Sequence, residues 1–183
     1  MRIQGLQKLT LLDYPGRTAC TVFLSGCNFR CPFCHNAPLL TAEDEDGMDE
    51  DELLAFLKKR RGLLDGVAIT GGEPLLRPDL PRMLEKIKAL GYAVKLDTNG
   101  AFPERLEAVV RAGLADYVAM DIKNSPARYA ETAGVPGLDL TPVLRSVSFL
   151  LRGMVNYEFR TTAVAELHDD ASFLKLGDWL AGA

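Results

Sequence analysis

The sequence predicts an α/β fold built of parallel βα units, and three observations carry that prediction. Five short apolar runs rich in β-branched residues recur along the 183 residues, each followed by a stretch whose apolar positions keep helical spacing. The composition, 48% apolar and 25% charged, belongs to a globular chain with a sizeable core, which excludes a disordered, collagen-like or coiled-coil protein. The polar and glycine-rich motifs collect just after the apolar runs, where ligands bind in a parallel sheet.

The first predicted strand is Ala19 to Leu24, which empties into a cluster of cysteines. The second is Val67 to Thr70, ending at Gly71-Gly72-Glu73-Pro74; the third is Ala93 to Leu96, ending at Asp97-Thr98-Asn99-Gly100. The fourth is Tyr117 to Met120, ending at Asp121-Ile122-Lys123, and the fifth is Tyr157 to Val164. Helical spacing follows at Leu80, Leu84 and Ile87, at Leu106, Val109, Val110 and Leu114, and at Val143, Leu144, Val147, Leu150 and Leu151; Ala171 to Leu180 forms a last helix. Asp49 and Glu52 stand three apart as in a capping box, and Thr141-Pro142 reads as an N-cap followed by proline. Near-continuous apolar strands suit a sheet covered on both faces or closed toward a barrel. The expected organisation is one domain over 1–183, with a lead-in at 1–18 and the core at 19–183.

The net charge is −4, but eight of the 25 acids lie between Glu43 and Glu52, leaving 17 acids against 21 bases elsewhere. The run Glu43 to Asp46 reads as a solvated loop. No basic stripe interleaved with aromatics suggests a nucleic-acid partner. No apolar run approaches the roughly 20 residues that cross a bilayer, and the N-terminus lacks a hydrophobic signal core, so a cytoplasmic, reducing location is expected.

Four cysteines, three of them at Cys27, Cys31 and Cys34, make a poor disulfide framework but a good soft-metal site. The same spacing could place three buried cysteines on one helix face, yet Gly26 and Pro32 disfavour a helix there and Asn28 suits a turn. Zinc would need a fourth ligand, and His35, adjacent to Cys34, chelates a tetrahedral centre awkwardly. A four-iron cluster held by three thiolates leaves one iron open to a substrate. Cys20, in register with Val22 and Leu24, reads instead as a core thiol.

The C-x3-C-x2-C spacing of Cys27, Cys31 and Cys34, with Phe33 before the last cysteine, resembles the cluster motif of the radical S-adenosylmethionine (SAM) superfamily. Gly71-Gly72-Glu73 resembles that family's SAM-binding motif. The stretch from Gly5 to Asn36, including Leu11 to Gly16 and Cys34-His35-Asn36, is similar to activating enzymes of glycyl-radical proteins, as are Asp97 to Gly100 and Asp121-Ile122-Lys123. Within that group, anaerobic ribonucleoside-triphosphate reductase activating proteins are the nearest match.

The resemblance implies a partial (β/α) barrel with a [4Fe-4S] cluster on Cys27, Cys31 and Cys34, whose open iron takes the amino and carboxylate groups of SAM. Reductive cleavage of the sulfonium then gives methionine and a 5′-deoxyadenosyl radical that removes a hydrogen atom from a glycine of a partner protein. The electron would come from a flavodoxin- or ferredoxin-type donor. A sulfonium accepts an electron only from a strongly reducing centre, which iron-sulfur clusters can be. Gly71 and Gly72 would let backbone approach the ligand. Glu73 and Asp97 would hold the SAM ammonium, Lys123 its carboxylate and Asp121 its ribose, with Asn99 in the same binding set. Phe33 would shield the cluster or stack near adenine. His35 and Asn36 fit the activator pattern, and Arg160 is a carboxylate contact if its strand register turns it to the rim.

Two departures accompany the match. Five βα units are counted where the family usually has six, which reads either as an opening for a protein substrate or as a truncated chain. With only Cys20 to spare, the chain has no ligands for a second cluster. Two other functions compete with glycyl-radical activation: a radical SAM enzyme acting on a small molecule, and a noncatalytic iron-sulfur or zinc protein. An open rim would favour a peptide and an enclosed pocket a metabolite.

Overall fold

A computed structural model describes residues 1–41 and 47–182; the acidic run Glu43 to Asp46 lies outside the described residues. Its centre is a six-stranded sheet formed by β2 (Gly5–Thr10), β3 (Ala19–Leu24), β5 (Gly66–Gly71), β6 (Ala93–Thr98), β7 (Tyr117–Asp121) and β8 (Asn156–Arg160) in that spatial order. The last five are parallel neighbours and are the five predicted strands; β2 runs antiparallel along the outer edge of β3. A separate two-residue pair joins β1 (Arg2–Ile3) to β4 (Met48–Asp49). The fold is therefore α/β with a mostly parallel sheet, as the sequence predicts.

The two faces of the parallel strands differ because side chains alternate along a strand. On one face Cys20, Val22, Leu24, Val67, Ile69, Val94, Leu96, Val118 and Met120 are buried in a single apolar core. That core is completed by Leu53 and Leu57 of α1 (Glu50–Lys59), Leu80, Met83, Leu84 and Ile87 of α2 (Leu80–Ala89), Leu106 and Val109 of α3 (Pro103–Arg111), and Val143, Val147 and Leu150 of α5 (Thr141–Leu150). The other face carries Thr21, Ala68, Lys95, Tyr117 and Ala119 across neighbouring strands, with Asp97, Asp121, Glu158 and Arg160 toward the strand ends. Most of the charged side chains of this inner face stand toward the strand ends.

The segment Leu11 to Gly16 closes the opposite end of that inner face. Tyr14 is buried, its ring packs against Gly66 and lies 6.1 Å from Tyr117, and Asp13 Oδ2 accepts a 2.5 Å hydrogen bond from the Thr21 hydroxyl. The lead-in is thus part of the fold.

Other boundaries follow from local chemistry. The capping box of α1 forms as expected, with Glu52 N–H donating to Asp49 and Asp49 N–H to Glu52. Thr141 is not the N-cap of α5: Leu140 is, because Asp139 Oδ1 accepts the Thr141 N–H at 3.0 Å and the helix starts one residue early. The fifth strand stops at Arg160, not Val164, since the Val164 carbonyl turns to the His168 N–H at 2.8 Å, ahead of α6 (Asp170–Trp179). A short helix absent from the prediction, α4 (Tyr129–Ala133), places Tyr129 between Phe29 of the cysteine loop and Trp179 of α6, at ring separations of 6.4 and 6.0 Å. None of the helices among the described residues is long and apolar enough to cross a membrane.

Candidate functional site

One cavity of about 210 Å³ opens at the carboxyl ends of the parallel strands. Its wall includes Cys27, Cys31, Phe33, Cys34, His35 and Asn36 on one side and Asp97, Asn99, Asp121, Lys123 and Arg160 on the other, with Gly71 and Gly72 between them. The strand ends thus bring together nearly every residue singled out from the sequence.

The cysteine loop is irregular and held by backbone bonds to its neighbours. Gly26 N–H donates to Leu39 O, Arg30 N–H to Ala133 O, and the Gly26 carbonyl accepts Glu73 N–H, each at 2.8–2.9 Å. The Arg30 guanidinium folds back onto the carbonyls of Cys27 and Phe29. No helix forms through the three cysteines, as Gly26 and Pro32 lead one to expect.

The diglycine owes its composition to this loop. A Cβ on Gly71 would lie 2.3 Å from backbone atoms of Leu24, and one on Gly72 would lie 1.9 Å from the Gly26 carbonyl oxygen. The close approach that excludes side chains at Gly71 and Gly72 is therefore to the polypeptide leading into Cys27. Asn36 adds a tie by donating its side-chain N–H to Gly71 O at 3.1 Å.

Glu73 is the one expected SAM contact that does not line the cavity. Its side chain is 1% exposed and lies behind the cavity wall, not on it. One carboxylate oxygen accepts from Leu75 N–H and the Thr98 hydroxyl, the other from Asn99 N–H at 2.7 Å. Both oxygens bind the chain itself, so the carboxylate fastens the β6 end to the diglycine turn from behind the cavity wall. Burial pushes its pKa up to about 7 against the hydrogen bonds from Asn99, Thr98 and Leu75.

The opposite wall alternates in charge. The register pairs Asp121 with Arg160, and the Arg160 guanidinium reaches Asp121 at 3.0 Å and Asp97 at 3.3 Å, so it does turn to the rim. Lys123 Nζ lies 3.0 Å from Asp121, and Lys95, 1% exposed, lies beneath with its ammonium 2.5 Å from Asp97 and 3.9 Å from Glu158. Burial alone would raise Asp121, but the Lys123 and Arg160 cations outweigh it and hold the carboxyl below its usual range. Burial likewise works against the Lys123 ammonium, but Asp121 and the neighbouring Cys31 and Cys27 hold its pKa above the ordinary lysine value.

Burial raises the Cys27 and Cys31 thiols above their ordinary pKa; Phe29 N–H and Lys123 oppose this at Cys27, and Lys123 does so at Cys31. Among the described residues no three His, Cys, Asp or Glu side chains converge on a point that could hold one ion. The three sulfurs instead share the wall of one cavity, an arrangement that suits a multi-iron cluster in which each thiolate binds a different iron. Cys20 is buried in β3 with its pKa pushed up to about 12 by burial, as a core thiol should be.

Several contacts of the site carry no sequence signal. Thr98 and Asn28 join the network only through partners 25 and 71 residues away. His168 is buried, with Nε2 2.9 Å from the Lys123 carbonyl, and carried no local signal beyond being one of two histidines.

Comparison with known proteins agrees with this geometry. The chain is 33% identical over 175 residues to a Methanocaldococcus jannaschii protein named, by inference, as a glycyl-radical enzyme activating enzyme, covering 92% of this chain and 70% of that one. It is 36% identical over 132 residues to the 7-carboxy-7-deazaguanine synthase of Hyperthermus butylicus, covering 70% and 51% of the two chains. Among solved structures, Streptococcus suis SuiB bound to S-adenosylmethionine superposes with a TM-score of 0.64 at 16% identity, covering 87% of this chain and 38% of that one, a likeness of fold. The model of the Radical SAM superfamily matches residues 21–165. The chain belongs to the radical SAM superfamily, whose enzymes use a [4Fe-4S] cluster and S-adenosylmethionine.

Proposed function

We propose that this protein installs a glycyl radical on a partner enzyme, with an anaerobic ribonucleotide reductase as the target. The observation that carries the reading is the placement of the site beside β8, whose outer edge pairs with no strand among the described residues. A backbone glycine can reach the hydrogen-abstracting centre only if polypeptide can lie alongside it, and an open flank permits that. The 33% identity to the Methanocaldococcus protein supports the same reading.

In this reading Cys27, Cys31 and Cys34 hold three irons of the cluster and leave the fourth for SAM. When bound, the cluster and SAM supply reductive cleavage of a sulfonium to a radical able to remove hydrogen from carbon. The chain's own residues do the placing. Asp97 receives the ammonium of SAM, Lys123 meets its carboxylate with Arg160 beside it, and Asp121 accepts from ribose hydroxyls. Asn99 belongs to the same wall. Phe33 covers the cluster side, and His35 and Asn36 line the same cavity. Glu73 acts through Thr98 and Asn99 as a positioning residue. A flavodoxin- or ferredoxin-type protein delivers the electron, and four unpaired thiols suit a reducing cytoplasm.

The test is to mix cluster-loaded protein with SAM, reductant and an anaerobic ribonucleotide reductase, and to record electron paramagnetic resonance. A glycyl radical on the reductase is the expected result. Turnover of SAM with no radical on any polypeptide would contradict it. The identity to a 7-carboxy-7-deazaguanine synthase favours a second reading, a reaction that yields a small deazapurine product; formation of such a product with no partner polypeptide present would select it.

A further inference from the structure

We propose that Asn99 tunes the reduction potential of the cluster by hydrogen bonding to the Cys27 sulfur. This rests on the three-thiolate cluster above and assigns to Asn99 a role toward the cluster itself, beyond its place in the SAM-binding wall.

The Asn99 side-chain nitrogen lies 3.8 Å from Cys27 Sγ, within N–H···S range, and donates its second hydrogen to Asn28 Oδ1 at 2.8 Å. Which end of an amide is nitrogen is decided by its partners. Here Asn99 Oδ1 accepts the Ala101 N–H at 3.0 Å, so the nitrogen must face the cysteine loop. The backbone of Asn99 is fixed as well, because its N–H is bound by the buried carboxylate of Glu73 at 2.7 Å. Asn99 is 6% exposed, so its amide donates in a site largely free of competing water. Cys27 accepts a second bond from Phe29 N–H at 3.4 Å, but that donor is backbone and no side-chain substitution removes it.

Reduction adds one electron to the cluster and neither makes nor breaks a bond, so its cost is the added negative charge on iron and sulfur. A donor aimed at a ligating sulfur disperses that charge and favours the reduced form. A net hydrogen bond of ordinary strength changes the reduced-to-oxidised ratio by about threefold to tenfold at fixed poise. Tenfold is 59 mV for a one-electron couple.

The experiment is a dithionite titration of reconstituted wild type, Asn99→Ala, Asn99→Asp and Asn28→Ala without SAM, followed by electron paramagnetic resonance, with iron and sulfide counted for each. Asn99→Ala and Asn99→Asp should load normally and titrate at more negative potential, Asp the more so for its charge. Asn28→Ala, which keeps the donor to Cys27, should titrate like wild type. Equal potentials in all four proteins would overturn the proposal. So would loss of the cluster in both Asn99 variants, which would make Asn99 a brace of the loop and not a tuning donor. A wild-type protein that loads no cluster would instead refute the cluster reading on which the proposal stands.

Discussion

The two faces of the parallel strands are made by alternate residues of the same strands, yet they do opposite work. The helix-facing side, from Cys20 across to Met120, is apolar and buried, and Cys20 sits there as an inert thiol. The inner side holds three acids and two bases, Asp97, Asp121, Glu158, Lys95 and Arg160, of which Asp97, Asp121 and Arg160 line the cavity. The inner face places its ion-paired charges next to the three loop cysteines. Function in this fold therefore belongs to one face and one end of the sheet.

The contrast is broken most completely at the cysteines. Cys31→Ala should abolish cluster assembly and SAM cleavage together, whereas Cys20→Ala should retain both; iron content and 5′-deoxyadenosine formation measure this, and equal losses would erase the distinction between the faces. Next in size is Lys95→Ala, which removes the buried cation shared by Asp97 and Glu158 and leaves Asp97 with Arg160 at 3.3 Å. Denaturant unfolding should show a loss of about 3 kcal/mol, the scale expected when one partner of a buried ion pair is removed. Gly72→Ala drives a methyl group into the Gly26 carbonyl. It should cost about 2 kcal/mol and lower iron loading, because the displaced backbone leads into Cys27.

Glu73 sharpens the comparison through pH. Burial raises its folded pKa from an ordinary 4.5 to about 7, so between these values the folded chain binds a proton that the unfolded chain has lost. The associated stability is complete below about pH 4.5 and lost as pH rises through about 7. Unfolding measured across that window should show this decline in wild type and not in Glu73→Gln. Smallest is the stability effect of Cys20→Ala, about 1 kcal/mol for trimming one core thiol.

The five parallel strands were legible because each is a buried, nearly continuous apolar run, and β3 ends where the run ends, at Leu24. Strand β2 was not, since its Gln7, Lys8 and Leu9 are exposed at the sheet edge and leave little apolar pattern to read. The cavity-lining cysteines, Asp97, Asp121 and Lys123 were legible because their types and spacing are local. The direction in which the Glu73 carboxylate turns was not, because Thr98 and Asn99, which claim it, lie 25 and 26 residues on. Arg160 was readable only conditionally: its value depended on the pairing of Asp121 with Arg160, a register set by the whole sheet.

In the proposed function, Cys27, Cys31 and Cys34 hold a cluster that cleaves SAM at this cavity. The most direct test is anaerobic reconstitution with iron and sulfide, followed by SAM and a strong reductant, with 5′-deoxyadenosine and methionine as the products measured. Both products are expected from the loaded protein. A fully loaded cluster that yields neither, or a protein that binds zinc and no iron, would contradict it.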